Sequence, residues 1–361
     1  MENQKFLILR LSAVGDVVRT LPVVKALKQH YPASYVAWVT EEPSEALLES
    51  QPEIDQVILF PRRRWEKKLR SLTGLFVLAG ELWRFVGNLR RHEFDVALDF
   101  HGILKSGLLS FFSGSRKRVG YDRRSTKEAN SLFSNVKVNL PRKRINRFER
   151  NVALLRGIGI EVNGTNPGLH IPEKDREYVD FFFNSLGVSL RRPWIAIHPG
   201  TNAQAVFKRW TADRYARFAD QLVTQLKATV ILTWGPEELE SVESIRKEMK
   251  EPSVLGPRTE TLTQLGEVLK RCDLYVGGDT GPMHIASLVG TPVVVIFGPT
   301  DPIENEPLGL HKMVRKEVGC NPCRNRSCTE RTCLKAITVS DVLEATHEVL
   351  SVKGGRCEYR S

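Results

Sequence analysis

The chain reads as an α/β protein of two domains, each organised around a mostly parallel sheet. Short apolar runs such as Phe6-Leu7-Ile8-Leu9 and Trp194-Ile195-Ala196-Ile197, of the kind a parallel sheet buries on both faces, alternate with segments of helical period. At 361 residues the chain exceeds what one core organises, since about 150 residues per domain is typical. Several of the apolar runs open directly into small-residue loops. In doubly wound folds such loops lie at the carboxyl edge of the sheet, where ligands collect.

The composition, 41% hydrophobic and 26% charged, is that of a globular protein. The net charge of +11 is one-sided: residues 1–170 carry 28 Lys and Arg against 17 Asp and Glu, whereas residues 171–361 carry 25 against 25. An anionic partner is therefore expected for the first half, either a phosphorylated glycolipid or a membrane surface, with a solvated basic face as the plain alternative. The basic clusters lack interleaved aromatics and any zinc-finger, helix-turn-helix or RNP-like pattern, which argues against nucleic acid. No leader pattern precedes the first strand, the longest apolar run near Leu75 is cut by Glu81, and the six cysteines do not form a secreted framework. These features predict a cytoplasmic location.

In chain order, the first strand runs into Ser12-Ala13-Val14-Gly15-Asp16 and an amphipathic helix from Val17 to His30. By position that loop is a phosphate cradle or the seat of a carboxylate, and Asp16 is equally suited to cap the helix. Strands at Tyr35–Val39 and Val57–Phe60 follow, then the basic run RRRWEKKLR at 62–70. Next comes a helical stripe of Leu72, Leu75, Phe76, Ala79, Leu82, Trp83, Val86 and Leu89. The stripe packs on the domain core in one reading and lies on an anionic membrane in the other. Val77, Leu78 and Phe85 on the remaining face favour the core. A strand from Phe94 ends in Asp99-Phe100-His101-Gly102, and more basic clusters precede a linker at Asn163–Pro172.

In the second half the strand at 194–198 ends in Pro199-Gly200-Thr201, and a loop through Lys208-Arg209-Trp210 reaches a cap at Thr211. A strand at Thr229–Thr233 ends in Trp234-Gly235-Pro236-Glu237-Glu238. Another, at Leu274–Val276, opens into Gly277-Gly278-Asp279-Thr280-Gly281-Pro282-Met283-His284. There Pro282 suits a first helical turn, glycines allow close backbone approach, and free N–H groups attract a diphosphate. The loop fits neither GxxxxGK[ST] nor GxGxxG, which disfavours a P-loop NTPase or a nicotinamide enzyme. A plain turn is the alternative.

The segments LRLSAVGDVVRTLP (9–22), HPGT (198–201), KRW (208–210), TWG (233–235) and GDTGPMHIASLVGTPVVVIFGPTDP (278–302) together resemble the ADP-heptose:lipopolysaccharide heptosyltransferases, glycosyltransferase family 9. RRW (63–65), HGILKSG (101–107) and STKEANSL (125–132) are most similar to the heptosyltransferase I branch. The resemblance implies a GT-B fold, with two Rossmann-like domains facing across a cleft. It places an acceptor-binding domain at 1–168, an ADP-sugar-binding domain at 173–336, and a C-terminal helix (337–361) crossing back to the first. It also implies inverting transfer of heptose from ADP-heptose to Kdo-lipid A, by a monomer peripheral on the cytoplasmic face of the inner membrane.

Such a reaction needs a base for the attacking hydroxyl and charge stabilisation for the leaving ADP. By resemblance Asp16 is that base and Lys208 stabilises the diphosphate. Thr201, Trp234, Glu237 (or its neighbour Glu238), Asp279, Thr280, Gly281 and His284 hold the donor. Ser12, Arg63, Arg64, Lys67 and Lys127 meet the acceptor, Lys127 standing where the compared family member has Arg. No Asp-x-Asp pair is present, so no catalytic metal is expected. Cys320, Cys323, Cys328 and Cys333 could hold a structural zinc, although they lack the usual long spacer.

Overall fold

The structure, a computed structural model, describes residues 4–69, 71–142, 144–162, 168–186, 190–201 and 203–357. It divides into two compact units, Met1–Asn166 and Pro167–Ser361. Arg70, Lys143 and residues 163–167 of the expected linker lie outside the described residues.

The first unit holds strands β1 (Lys5–Leu9), β2 (Tyr35–Thr40), β3 (Gln56–Leu59), β4 (Val96–Asp99), β5 (Lys117–Tyr121) and β6 (Val136–Val138). Its helices are α1 (Val14–His30), α2 (Glu45–Glu49), α3 (Arg62–Lys68), α4 (Leu72–Arg91), α5 (Leu104–Phe112) and α6 (Arg147–Arg156). The sheet is parallel throughout, in the order β3-β2-β1-β4-β5-β6. Phe6 to Leu9 are sealed from solvent, as their unbroken apolar run requires of a central strand.

The second unit holds helices α7 (Glu173–Ser185), α8 (Ala212–Leu226), α9 (Leu239–Glu248), α10 (Leu262–Arg271), α11 (Gly281–Leu288), α12 (Pro302–Asn305), α13 (Thr332–Lys335) and α14 (Val339–Cys357). Its strands are β7 (Trp194–His198), β8 (Thr229–Leu232), β9 (Val254–Leu255), β10 (Leu274–Gly278), β11 (Val293–Ile296) and β12 (His311–Val314), in the parallel order β12-β11-β10-β7-β8-β9. Counted from its own first strand, this sheet repeats the order of the other. Each therefore reverses strand order beside its first strand, between β1 and β4 and between β7 and β10, the crevice where doubly wound sheets bind ligands.

The final helix, α14, packs on β11, β12 and α8. Val342, Ala345 and Val349 are buried in that core, and Lys353 reaches Asp273 at 2.8 Å. One expectation changes: most of the stripe on α4 is turned outward rather than into the core, Phe76 and Trp83 being 83% and 81% exposed. Leu78, Phe85 and Leu89 supply the packed side, where the Phe85 ring meets Phe60 and Trp65 edge to face. Ser71 caps this helix by accepting the Gly74 N–H at 3.0 Å.

Candidate active site

At the β1/β4 switch point the chain leaves β1 through Arg10 and enters α1, placing Asp16 in the first turn. Three guanidiniums close on its carboxylate: Arg10 from the end of β1, Arg19 one turn along α1 at 2.5 Å, and Arg147 from the start of α6 at 2.9 Å. Burial alone would raise the Asp16 pKa. The three arginines outweigh it and hold the carboxyl well below the ordinary carboxylate range. The N-cap position of α1 is Ala13, and no side chain caps it. The expected capping role of Asp16 therefore gives way to the ion cluster, which is the stronger attraction for a carboxylate.

Arg10 also donates to the Phe100 carbonyl at 2.7 Å, tying the β1 exit to the loop after β4. In that loop the His101 Nδ1 accepts the Leu11 N–H at 3.3 Å. Burial, reinforced by Arg10, pushes the His101 pKa down to about 3, so the ring is neutral with its proton on Nε2. Beneath the loop, buried Asp99 accepts from the backbone N–H groups of His101 and Gly102 (both 3.0 Å), Ser106 (2.9 Å) and Asn130 (2.7 Å). The HGILKSG and STKEANSL segments thus meet on one carboxylate, whose pKa burial raises despite these bonds.

The acceptor-side residues separate. Arg63 and Lys67 are exposed on α3 and have no ion-pair partner among the described residues. Arg64, expected to meet the acceptor, pairs with Glu81 of α4, which also takes Lys68 at 2.5 Å and the Trp65 indole N–H at 3.0 Å. This pair ties α3 to α4, while the Arg64 side chain stays 64% exposed. Lys127 is exposed, its backbone N–H bonded to the Gly102 carbonyl at 3.1 Å, and Ser12 is half-buried beside Asp16 in sequence.

At the β7/β10 switch point Lys208 donates to the Asp279 carbonyl at 3.1 Å and to its carboxylate at 3.2 Å. Asp279 is buried, with His284 Nε2 3.9 Å away. Thr280 occupies the N-cap of α11, no side chain caps the helix, and its first turn holds Pro282 and no acid. The N–H groups there can meet an anion. Gly277 is required for close packing, because a Cβ there would lie 2.5 Å from the Tyr275 hydroxyl and 2.8 Å from the His198 carbonyl. Thr201 is buried and held by Arg209, whose Nε reaches its hydroxyl at 2.8 Å.

The adenosine-side residues are rearranged. Trp234, expected as a donor contact, is 7% exposed within the core, its indole N–H bonded to the Gly256 carbonyl at 2.9 Å. Its indole packs in that core, where a flat apolar ring buries its faces. Glu237 is exposed, whereas Glu238 turns inward to accept the Gly235 N–H at 2.8 Å and lies 3.3 Å from His198 Nε2. Burial would raise Glu238, but His198 and the Gly235 N–H lower it on balance. A Cβ on Gly200 would strike that carboxylate at 2.2 Å.

No group of three or more His, Cys, Asp or Glu among the described residues is arranged to hold a metal. Cys333 is buried, Cys328 half-buried, and Cys320 and Cys323 are exposed. No described helix is long and apolar enough to cross a membrane. Sequence reasoning missed Arg10, Arg19, Arg147, His101 and Arg209. Arg10 and Arg19 stood inside the 9–22 segment as their only signal, and Arg147 was one member of a basic run.

The pattern of glycosyltransferase family 9 (heptosyltransferase) matches residues 82–334. Lipopolysaccharide core heptosyltransferase OpsX of Haemophilus influenzae is 27% identical over 83% of this chain and 80% of its own length. Lipopolysaccharide heptosyltransferase 1 of Pseudomonas aeruginosa is 26% identical over 90% and 87%. Among solved structures, the glycosyl transferase family 9 protein of Veillonella parvula superposes with a TM-score of 0.77 at 22% identity, covering 97% of this chain and 98% of that one. That likeness establishes the shared fold.

Proposed function

Because the chain belongs to glycosyltransferase family 9, the heptosyltransferases, we propose that it transfers L-glycero-D-manno-heptose from ADP-heptose to the Kdo-lipid A inner core with inversion at the anomeric carbon. The observation that carries the reading is a half-buried, ionised Asp16 at one switch point together with Lys208 and an uncapped helix start at the other. An acceptor hydroxyl gives its proton to Asp16 as its oxygen bonds to the anomeric carbon. The bond from that carbon to the diphosphate breaks, and the electron pair leaves with ADP. Lys208 and the α11 N–H groups then meet the growing negative charge.

Asp16 is charged at neutral pH, but three guanidiniums make it a weak base. Phosphate and carboxylate groups of an acceptor compete for those guanidiniums, so acceptor binding would return basicity to Asp16. Arg63, Lys67 and Lys127 are free to join in holding such groups.

Acceptor position is the finer part of the proposal, since relatives named as types 1, 2 and 3 fall between 23% and 27% identity. A second reading, a transferase of the type 2 or 3 kind, is favoured by that spread. Purified protein given ADP-heptose with Kdo-lipid A, against a heptosylated core acceptor and against UDP- and GDP-sugars, separates the readings. Product with Kdo-lipid A alone supports type I. Transfer from a UDP- or GDP-sugar in preference to ADP-heptose would overturn the donor assignment.

A further inference from the structure

Helix α4 presents to solvent the side that an amphipathic helix ordinarily buries. Leu75, Phe76, Leu82 and Trp83 are 43%, 83%, 40% and 81% exposed, and Ala79 and Gly80 lie among them on the same face. Phe111 and Phe112 of α5, the helix packed beside it, are 47% and 39% exposed, and Arg90 of α4 donates to the Phe112 carbonyl at 3.0 Å. A contiguous apolar face of this kind on a folded unit marks an interaction surface.

Its charge says what covers it. Residues 62–91 contain nine Lys and Arg and two Glu. Both acids are engaged: Glu66 with Arg62 at 2.6 Å, and Glu81, the acid of α4, with Arg64 and Lys68 of α3. The rim left around the apolar residues is cationic, with Arg84, Arg90 and Arg91 exposed on α4 and Arg63 and Lys67 exposed on α3. A second copy would bring like charges together, whereas an anionic lipid surface meets both the charge and the aromatic residues. We infer that the outward face of α4, with the cations of α3, seats this protein on an anionic bilayer.

Sedimentation with vesicles of phosphatidylcholine alone, and of equimolar phosphatidylcholine and phosphatidylglycerol, tests this with no donor or acceptor present. The full chain is expected to bind the mixed vesicles and lose them as salt rises. A paired Phe76→Ser/Trp83→Ser variant should bind at least about tenfold more weakly, with unchanged melting because both side chains are already exposed. The same variant should retain transfer to a deacylated, water-soluble acceptor, so a failure of the proposed reaction and a failure of docking are told apart. An Arg84→Ser/Arg91→Ser variant should likewise weaken binding to the mixed vesicles only. Equal binding by wild type and the Phe76/Trp83 variant would overturn the inference. So would a wild-type dimer in light scattering that the variant loses, because the face would then belong to a second copy.

Discussion

Replacing Asp16 by Asn keeps the shape of the side chain and removes a negative charge that three guanidiniums share. Arg10 and Arg19 have side chains only 11% and 6% exposed, so water does little to compensate them. Removing one partner of a buried ion pair costs roughly 3–5 kcal/mol, and we take about 3 because Arg147 is partly solvated. In a unit of this size that is a melting shift of about 6–12 °C. Calorimetry measures the shift, and a transfer assay at a temperature where both proteins are folded measures the chemistry, which should be lost while ADP still binds.

The stability difference should also depend on pH. Asp16 titrates below its ordinary 3.8 in the folded protein. A carboxyl depressed on folding contributes stability that is complete above its unfolded pKa and lost as pH falls through the folded one. Wild type and variant should therefore differ fully above pH about 5 and begin to converge only below about 4. Equal melting temperatures at neutral pH would refute the energetic reading of the arginine cluster. Unchanged turnover would remove Asp16 from the mechanism.

Lys208→Ala should lower kcat by about 10²–10³ and weaken ADP binding, since it removes the cation next to the α11 helix start; steady-state kinetics and titration calorimetry read the two effects. The His101 ring, with its pKa near 3, should show no change in its NMR shifts between pH 5 and 8. Being a histidine depressed on folding, it stabilises the fold above its ordinary 6.5 and withdraws that contribution as pH drops toward 3. Trp234→Phe should cost about 1 kcal/mol in denaturant titrations through the lost Gly256 hydrogen bond, with ADP affinity unchanged. A large loss of ADP affinity would return Trp234 to the donor site.

The fold was legible because its signals are local. The runs at Phe6–Leu9 and Leu274–Val276 can be satisfied only inside a sheet, and the glycines that end β10 announce a close approach that the Tyr275 hydroxyl beneath Gly277 makes necessary. The partners of Asp16 were not legible, because Arg10, Arg19 and Arg147 meet it from three elements, and a basic run in sequence carries no direction in space. Periodicity grouped Phe76, Ala79 and Trp83 on one face of α4 but could not say which face points inward. Leu78, Phe85 and the Glu81 cluster decided that, and they depend on α3. Trp234 shows the converse, a residue placed by motif whose burial follows from its neighbours.

The repeated strand order has a consequence for how such a chain can change. In each unit the loops after the first and fourth strands carry the proposed site residues, while the strands beneath them are sealed by apolar contacts that do not depend on what the loops present. On the proposed function, substitutions after β1 and β4 can thus retune one reagent without disturbing the framework, and substitutions after β7 and β10 can retune the other. Two matching scaffolds let a lineage revise its customer and its supplier on separate occasions.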